Sequence, residues 1–364
     1  MTLSLYVARR FLGTFLIILG VFAGMLMLLD MVEQLRRMAG RDGTFAQAAQ
    51  LAALNMPAAL YQILPLIVIL ATIALFLALA RSSELVVVRA AGRSAIRLAL
   101  APVAAVLVVG ALALAVFNPL VAATMTQYDA LSDRLTTGTA RVLSVGDAGL
   151  WMRQPHEDGQ MVIRAARADP DGTRFHEVGF VFFDPDGMPV RRIEAQTARL
   201  GDAVWSLTLA KDWDLRADNP ERRAQRHTVL ELPATMTPAQ LRDSFGSPAS
   251  ISIWELPAFI ERLNRAGFAA RAHQVWLHIE LATPLFMAGM VLLGAGFTMR
   301  PSRFGGTGIR VLIALLVGFG LYFLRNFAQV LGEAGQIPVL VAAWGPAMAA
   351  VLLSMGLLLH VEDG

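Results

Sequence analysis

The chain has 364 residues, of which 56% are hydrophobic and only 16% charged, with a formal net charge of +3 and no cysteine. Soluble domains carry about a quarter charged residues, so the composition excludes an ordinary soluble protein and points to a polytopic membrane one. The missing cysteines exclude disulfides, thiolate metal sites and a cysteine nucleophile. The basic residues flank apolar runs instead of clustering with aromatics, which argues against nucleic acid as a partner.

In chain order, the first apolar run covers 11–29 behind Arg9 and Arg10. It resembles a signal peptide, but it is longer than a usual h-region and lacks a small-residue cleavage site, so it reads as a retained first span. Further uncharged apolar runs follow at 56–80, 98–123, 281–299, 311–324 and 334–359. Each can cross about 30 Å of hydrocarbon at about 1.5 Å per residue, allowing for ends and tilt. The fifth is the marginal one, because Arg325 interrupts it. Six spans place both termini on one side. Arg9, Arg10, Arg81, Arg89, Arg93, Arg97, Arg300, Arg303 and Arg310 gather on one side and Arg36, Arg37 and Arg41 on the other. The positive-inside rule makes the first side cytoplasmic.

Residues 124–250 form a polar insertion on the far side, between spans three and four. GLWMRQ, QMVIRAA, FHEVGFVFF, VRRIEAQTARL and VWSLTLA alternate as strands do, and turn signals such as DPDG at 169–172 and at 184–187 separate them. This predicts an antiparallel β-domain, closer to a jelly roll or sandwich than to a closed barrel. The apolar excess of VGFVFF at 178–183 suits either a core or a groove for acyl chains. At 251–272 the period becomes helical: Ser252 is a candidate cap, Leu256, Phe259, Ile260 and Leu263 share a face, and Gly267 marks the end. The remaining divisions are 1–123 with spans one to three and 273–364 with spans four to six.

The segment 81–97, RSSELVVVRAAGRSAIR, is a wet interruption between two spans. Ser82 or Ser83 can cap a helix with Glu84 in its first turn, and Arg89, Arg93 and Arg97 recur along one side. Glu84 and Arg89 stand five apart, so the carboxylate reads as free for a partner. At the opposite end, Arg36, Arg37 and Arg41 stand where positive charge is scarce; Glu33 is within reach of the first two. Asp30 and Arg325 lie deeper, toward the outer-leaflet ends of spans one and five, and are expected to pair. Glu280, at the start of span four, is expected to be solvated.

Enzyme chemistry finds little support. The six histidines are scattered, and no HExxH or GxSxG pattern accompanies them. A phosphate-binding loop needs a lysine, and the only lysine is Lys211, in a predicted strand. The glycine run at 305–308 reads as a tight turn. The chain is therefore expected to bind no cofactor and to depend on an external motor.

SELVVVRAAG at 83–92, FTMRPSRFGGTG at 297–308 and AAWGP at 342–346 resemble the permease family of the lipopolysaccharide export transporter, LptF and LptG, along the whole chain. DMVEQLRR at 30–37 leans toward its LptG branch. The resemblance implies six transmembrane helices with an inserted periplasmic β-jellyroll, in the inner membrane. It implies an LptF–LptG pair on a cytoplasmic LptB ATPase dimer that holds ATP and Mg, a periplasmic LptC/LptA bridge reached by strand addition, and lipopolysaccharide as cargo. By the same match, 81–97 is the coupling helix with Glu84 and Arg89 as its chief contacts, and Arg36 and Arg37 meet lipid phosphates. Some members carry a basic residue where Asp30 stands, so this chain departs from that pattern. The alternatives are an FtsX- or MacB-like mechanotransmission permease, which usually has four spans, and a membrane-anchored ligand sensor.

Overall fold

The computed structural model describes residues 2–38, 44–90, 94–136, 143–146, 149–156, 159–169, 173–234, 236–237, 241, 247–299 and 307–363. Two compact units result: residues 1–131, 249–254 and 271–364 form a helical unit, and 132–248 with 255–270 a β unit.

The helical unit contains α1 (Thr2–Met38), α2 (Phe45–Arg81), α3 (Glu84–Ala90), α4 (Ala95–Leu112), a π-turn (Ala113–Phe117) and the larger part of α5 (Asn118–Thr136). After the β unit come α7 (Arg271–Thr298), α8 (Thr307–Glu333) and α9 (Val339–Asp363), the label α6 being kept for a helix of the β unit. Six helical stretches among the described residues are long and apolar enough to cross a membrane, with α4, the π-turn and α5 forming one of them. Most run beyond the apolar windows that announced them, whereas the sixth begins at Val339, five residues inside its run. A capping box between Thr44 and Gln47 starts α2 at Phe45, and α7 starts at Arg271, about two and a half turns before Glu280. Arg325 lies within α8 without breaking it.

The core is built on α2 and α7. Ile67, Val68, Ala71, Phe76, Met287, Met290, Val291 and Leu293 are fully buried. Small residues bring the helices close: a Cβ on Gly289 would lie 2.8 Å from that of Ala350 in α9, and one on Gly318 would lie 2.6 Å from Ile69. Hydroxyls in the core turn to backbone carbonyls, as Thr72 does to Val68 and Ser354 to Gly289, so these donors are satisfied without water. Leu16, Ile17, Leu316 and Phe323 are exposed, as lipid-facing residues should be.

In the β unit, seven antiparallel strands stand in chain order: β1 (Leu143–Gly146), β2 (Gly149–His156), β3 (Gly159–Ala168), β4 (Arg174–Phe183), β5 (Pro189–Leu200), β6 (Val204–Asp214) and β7 (Gln225–Pro233). The inserted antiparallel domain is present. Each strand pairs with its chain neighbour, so the described strands form a meander without the crossovers of a Greek key. One face carries the core, where Phe175 and Phe180 meet Trp205 edge-on at 5.4 and 5.6 Å. Val178, Phe180 and Phe182 are core residues, whereas Val181 points to the opposite face.

Helix α6 (Leu256–Arg265) adds Phe259, Ile260 and Leu263 to that core. It starts later than the sequence suggested. Glu255, not Ser252, occupies the N-cap position, and Pro257 sits in the first turn, where its missing N–H costs nothing. Its end is the expected one: Phe268 N–H donates to Leu263 O (2.9 Å) and Gly267 N–H to Asn264 O (3.1 Å), with Gly267 at φ +86. A Cβ there would lie 2.1 Å from the Ala168 carbonyl oxygen. Gly267→Val should therefore destabilise the β unit by at least about 1–3 kcal/mol, measured as earlier loss of near-UV circular dichroism on heating.

Candidate functional site

Three groups of polar residues among those described in the helical unit bear on the site. The first surrounds α3. Helix α2 ends at Arg81, and Ser83 at φ +62 turns the chain directly into α3, whose first residue is Glu84. Its carboxylate accepts from Arg10 Nη1 (2.8 Å), Ser82 Oγ (2.8 Å) and Tyr6 OH (3.0 Å). Arg10 also donates to Tyr6 OH at 2.7 Å. Glu84 is thus engaged, where the sequence reading left it free. That reading weighed partners within α3 only, and the donors come from α1, where Tyr6 and Arg10 share a face four residues apart. The Arg10 guanidinium, followed by the Ser82 hydroxyl, holds the Glu84 carboxyl below the usual carboxylate range. Leu85 is buried in the same apolar cluster as Val7 and Phe11, while Val87 is exposed.

The single helix expected over 81–97 is interrupted. Ser94 Oγ accepts from Arg97 N–H (3.3 Å) and starts α4, so Arg97 belongs to the first turn of the next span. Arg93 and the side chain of Arg89 lie outside the described residues, as does Arg41.

The second group lies at the far end of α1. Glu33 holds both Arg36 (3.0 Å) and Arg37 (3.0 Å), and the two arginine side chains remain 78% and 62% exposed. One turn deeper, Gln34 bridges Asp30 (3.4 Å) and Tyr128 (3.1 Å).

The third group is inside the bundle. Glu280, expected at a solvated helix start, is 1% exposed, because α7 begins well before it. Tyr61 of α2 and Asn118 Nδ2 of α5 (3.3 Å) both donate to its Oε2. Asn118 Oδ1 accepts the Ile253 N–H at 2.9 Å. Nearby, Trp254 Nε1 donates to the Ala115 carbonyl (3.2 Å) inside the π-turn. Arg325 does not pair with Asp30. It donates to Thr283 Oγ1 (3.1 Å) and lies 5.7 Å from the Phe286 ring centroid, with Glu280 the carboxylate whose charge reaches it. Matching two charges by depth alone did not account for this carboxylate on the adjacent helix.

Residues 5–360 match the family described as lipopolysaccharide export system permease LptF/LptG. The chain belongs to this family. Among relatives, the lipopolysaccharide export system permease protein LptG of Haemophilus influenzae is 23% identical over 100% of this chain and 99% of its own length. LptG of Escherichia coli K12 is 24% identical over 98% of each. An LptF/LptG permease is a membrane component of a lipopolysaccharide export system, in keeping with six apolar helices and an inserted antiparallel domain.

Sequence reasoning about this permease missed Tyr6, Arg10, Tyr61 and Asn118. The available signal was a lone polar side chain inside an uncharged run, which calls for a partner on a neighbouring helix. Asn118→Leu would leave a buried carboxylate and a buried backbone N–H each short of a partner, costing about 1–3 kcal/mol for each, read as a lowered melting temperature in detergent. At the α1–α3 junction the depressed Glu84 pKa places its contribution fully above the ordinary carboxylate range, to be lost as pH falls through the lowered value. Spin labels on α1 and α3 of this cysteine-free chain should report an unchanged distance from about pH 8 to 5 and separation only in stronger acid.

Proposed function

We propose that this permease is an LptG-type subunit that takes lipopolysaccharide from the outer leaflet of the inner membrane. Its partners would be a homologous LptF-type permease, an LptB-type ATPase dimer on the cytoplasmic side, and an LptC/LptA-type bridge that receives the lipid in the periplasm. The observation that carries the reading is a full-length family match in a chain whose only lysine, Lys211, stands in β6 with no phosphate loop around it. Force has to enter from another subunit, and that subunit would hold ATP and Mg.

Helix α3 is the proposed point of entry. It joins spans two and three at the arginine-rich end, anchors itself through Leu85 and presents Val87 outward. Arg36 and Arg37 are the proposed phosphate contacts, with a phosphate displacing Glu33 through bidentate, charge-assisted hydrogen bonds. The β unit, on the periplasmic side in this reading, would pass the lipid on through an open strand edge.

Copurification of the chain with an ATPase whose hydrolysis rises on addition of lipopolysaccharide tests the reading, and absence of any associated ATPase would overturn it. Glu84→Arg should abolish export while membrane insertion stays normal, measured by lipopolysaccharide release from spheroplasts. Adding Arg10→Glu restores an ion pair between α1 and α3 but should not restore export. Recovery in the double variant would reduce Glu84 to an internal strut.

A further inference from the structure

We infer that the face of the β unit opposite its apolar core carries a binding groove for an anionic saccharide. The observation begins with a broken alternation. In β3 the buried side chains are Met161, Ile163 and Ala165, then Ala168; in β4, Phe175, then Val178, Phe180 and Phe182. In β5 they are Ile193 and Ala195, then Ala198 and Leu200; in β6, Trp205 and Leu207, then Ala210. Every one of these strands skips an extra residue at the same line. The pairing register is the same on both sides of it, as with Ala165↔Val178 and Arg167↔His176, or Ala195↔Ala210 and Thr197↔Thr208. The line is therefore a crease across the sheet and not the slip of one strand.

The crease row is Ala166, Glu177, Gln196 and Leu209. Glu177 (φ +53) and Leu209 (φ +51) hold the left-handed backbone that residues with a Cβ avoid, a strain of the kind found at ligand sites. All four line a groove of about 660 Å³.

Tryptophans stand at two places along it. The Arg164 guanidinium lies 5.6 Å from the Trp151 ring centroid, and Arg192 and Lys211 lie 5.8 and 4.7 Å from that of Trp213. Acids steady the second cluster: Glu194 pairs with Arg192, and Glu221 takes Lys211 Nζ (2.5 Å) and Trp213 Nε1 (2.7 Å). Val162 and Val181 continue the row that ends in Arg192 and Trp213, and Leu209 lines the groove beside Lys211.

This combination selects the ligand class. A sugar ring offers an apolar C–H face for an aromatic ring and an equator of hydroxyls for Glu177, Glu194 and Gln196, while an attached phosphate or carboxylate suits the pinned cations. An acyl chain alone would strip water from those charged walls and offer them no hydrogen bond in return. The saccharide's identity as the headgroup of the exported lipid rests on the function proposed above; the anionic-sugar chemistry rests on the groove.

Lys211 is the chain's only lysine, so its modification by an amine-directed reagent can be followed by peptide mass spectrometry in the intact protein. The full chain in nanodiscs is offered fully deacylated lipopolysaccharide, the same saccharide after phosphatase treatment, or inorganic phosphate. The phosphorylated saccharide should slow Lys211 modification saturably, the dephosphorylated one more weakly, and phosphate alone should not slow it. Arg164→Gln and, separately, Trp151→Ala should each weaken that protection about tenfold, each variant being scored against its own unliganded rate of Lys211 modification. Absence of protection, equal protection by inorganic phosphate, or unchanged protection in both variants would overturn the groove. Lipid stimulation of a copurified ATPase, measured in parallel, fails or succeeds independently, so loss of the export reading is distinguishable from loss of the groove.

Discussion

A carboxylate buried among helices that face hydrocarbon cannot be left without donors, and Glu280 draws the helical unit together for that reason. Tyr61 reaches it from α2 and Asn118 from α5, while α7 supplies the carboxylate itself. Asn118 also spends its amide oxygen on Ile253, so one short side chain fixes both a span and the segment that leads back into the membrane. The π-turn just before Asn118 serves the same joint, because the Ala115 carbonyl is available to the Trp254 indole.

The same physics gives the surface charges a different character. Glu84 and Glu33 are each held by two or more donors, yet both groups are partly exposed and their ion pairs contribute little to stability by themselves. They act by fixing direction: Arg10 and Tyr6 orient α3 against the foot of α1, and Glu33 keeps two guanidinium groups side by side. A partner or anion arriving at either place exchanges one set of charge-assisted hydrogen bonds for another, a smaller change than desolvating fresh charges.

Much of the architecture was legible in the sequence because it follows from period and charge. Five strands, the six apolar runs and the glycine that closes α6 were found where alternation, hydropathy and the left-handed cap placed them. Strand β1, four residues long, offers too short a pattern to read, and β7 is mostly exposed on both faces. The site was less legible. Glu84 looked free because Arg10 is 74 residues away in sequence, and Asp30 looked paired with Arg325 because depth along a helix says nothing about azimuth. The crease was visible only as an irregularity in each strand. It acquires meaning when four such irregularities line up across one sheet.

Helix α1 is anchored very unevenly. Its fully buried apolar residues are Val7, Phe11 and Phe15, all within the first half, alongside the Arg10 link to Glu84. Beyond Phe15 the one buried side chain among those described is Gln34, and Leu16, Ile17, Val21, Leu28, Leu29 and Val32 are exposed. Mechanically the helix is a cantilever, clamped at the end nearest α3 and lightly tethered at the end that carries Arg36 and Arg37. Between clamp and tip, Ile18, Leu19, Phe22 and Leu26 are only partly buried against the core, so the placing of the two cations depends on a seam much thinner than the clamp that holds the other end.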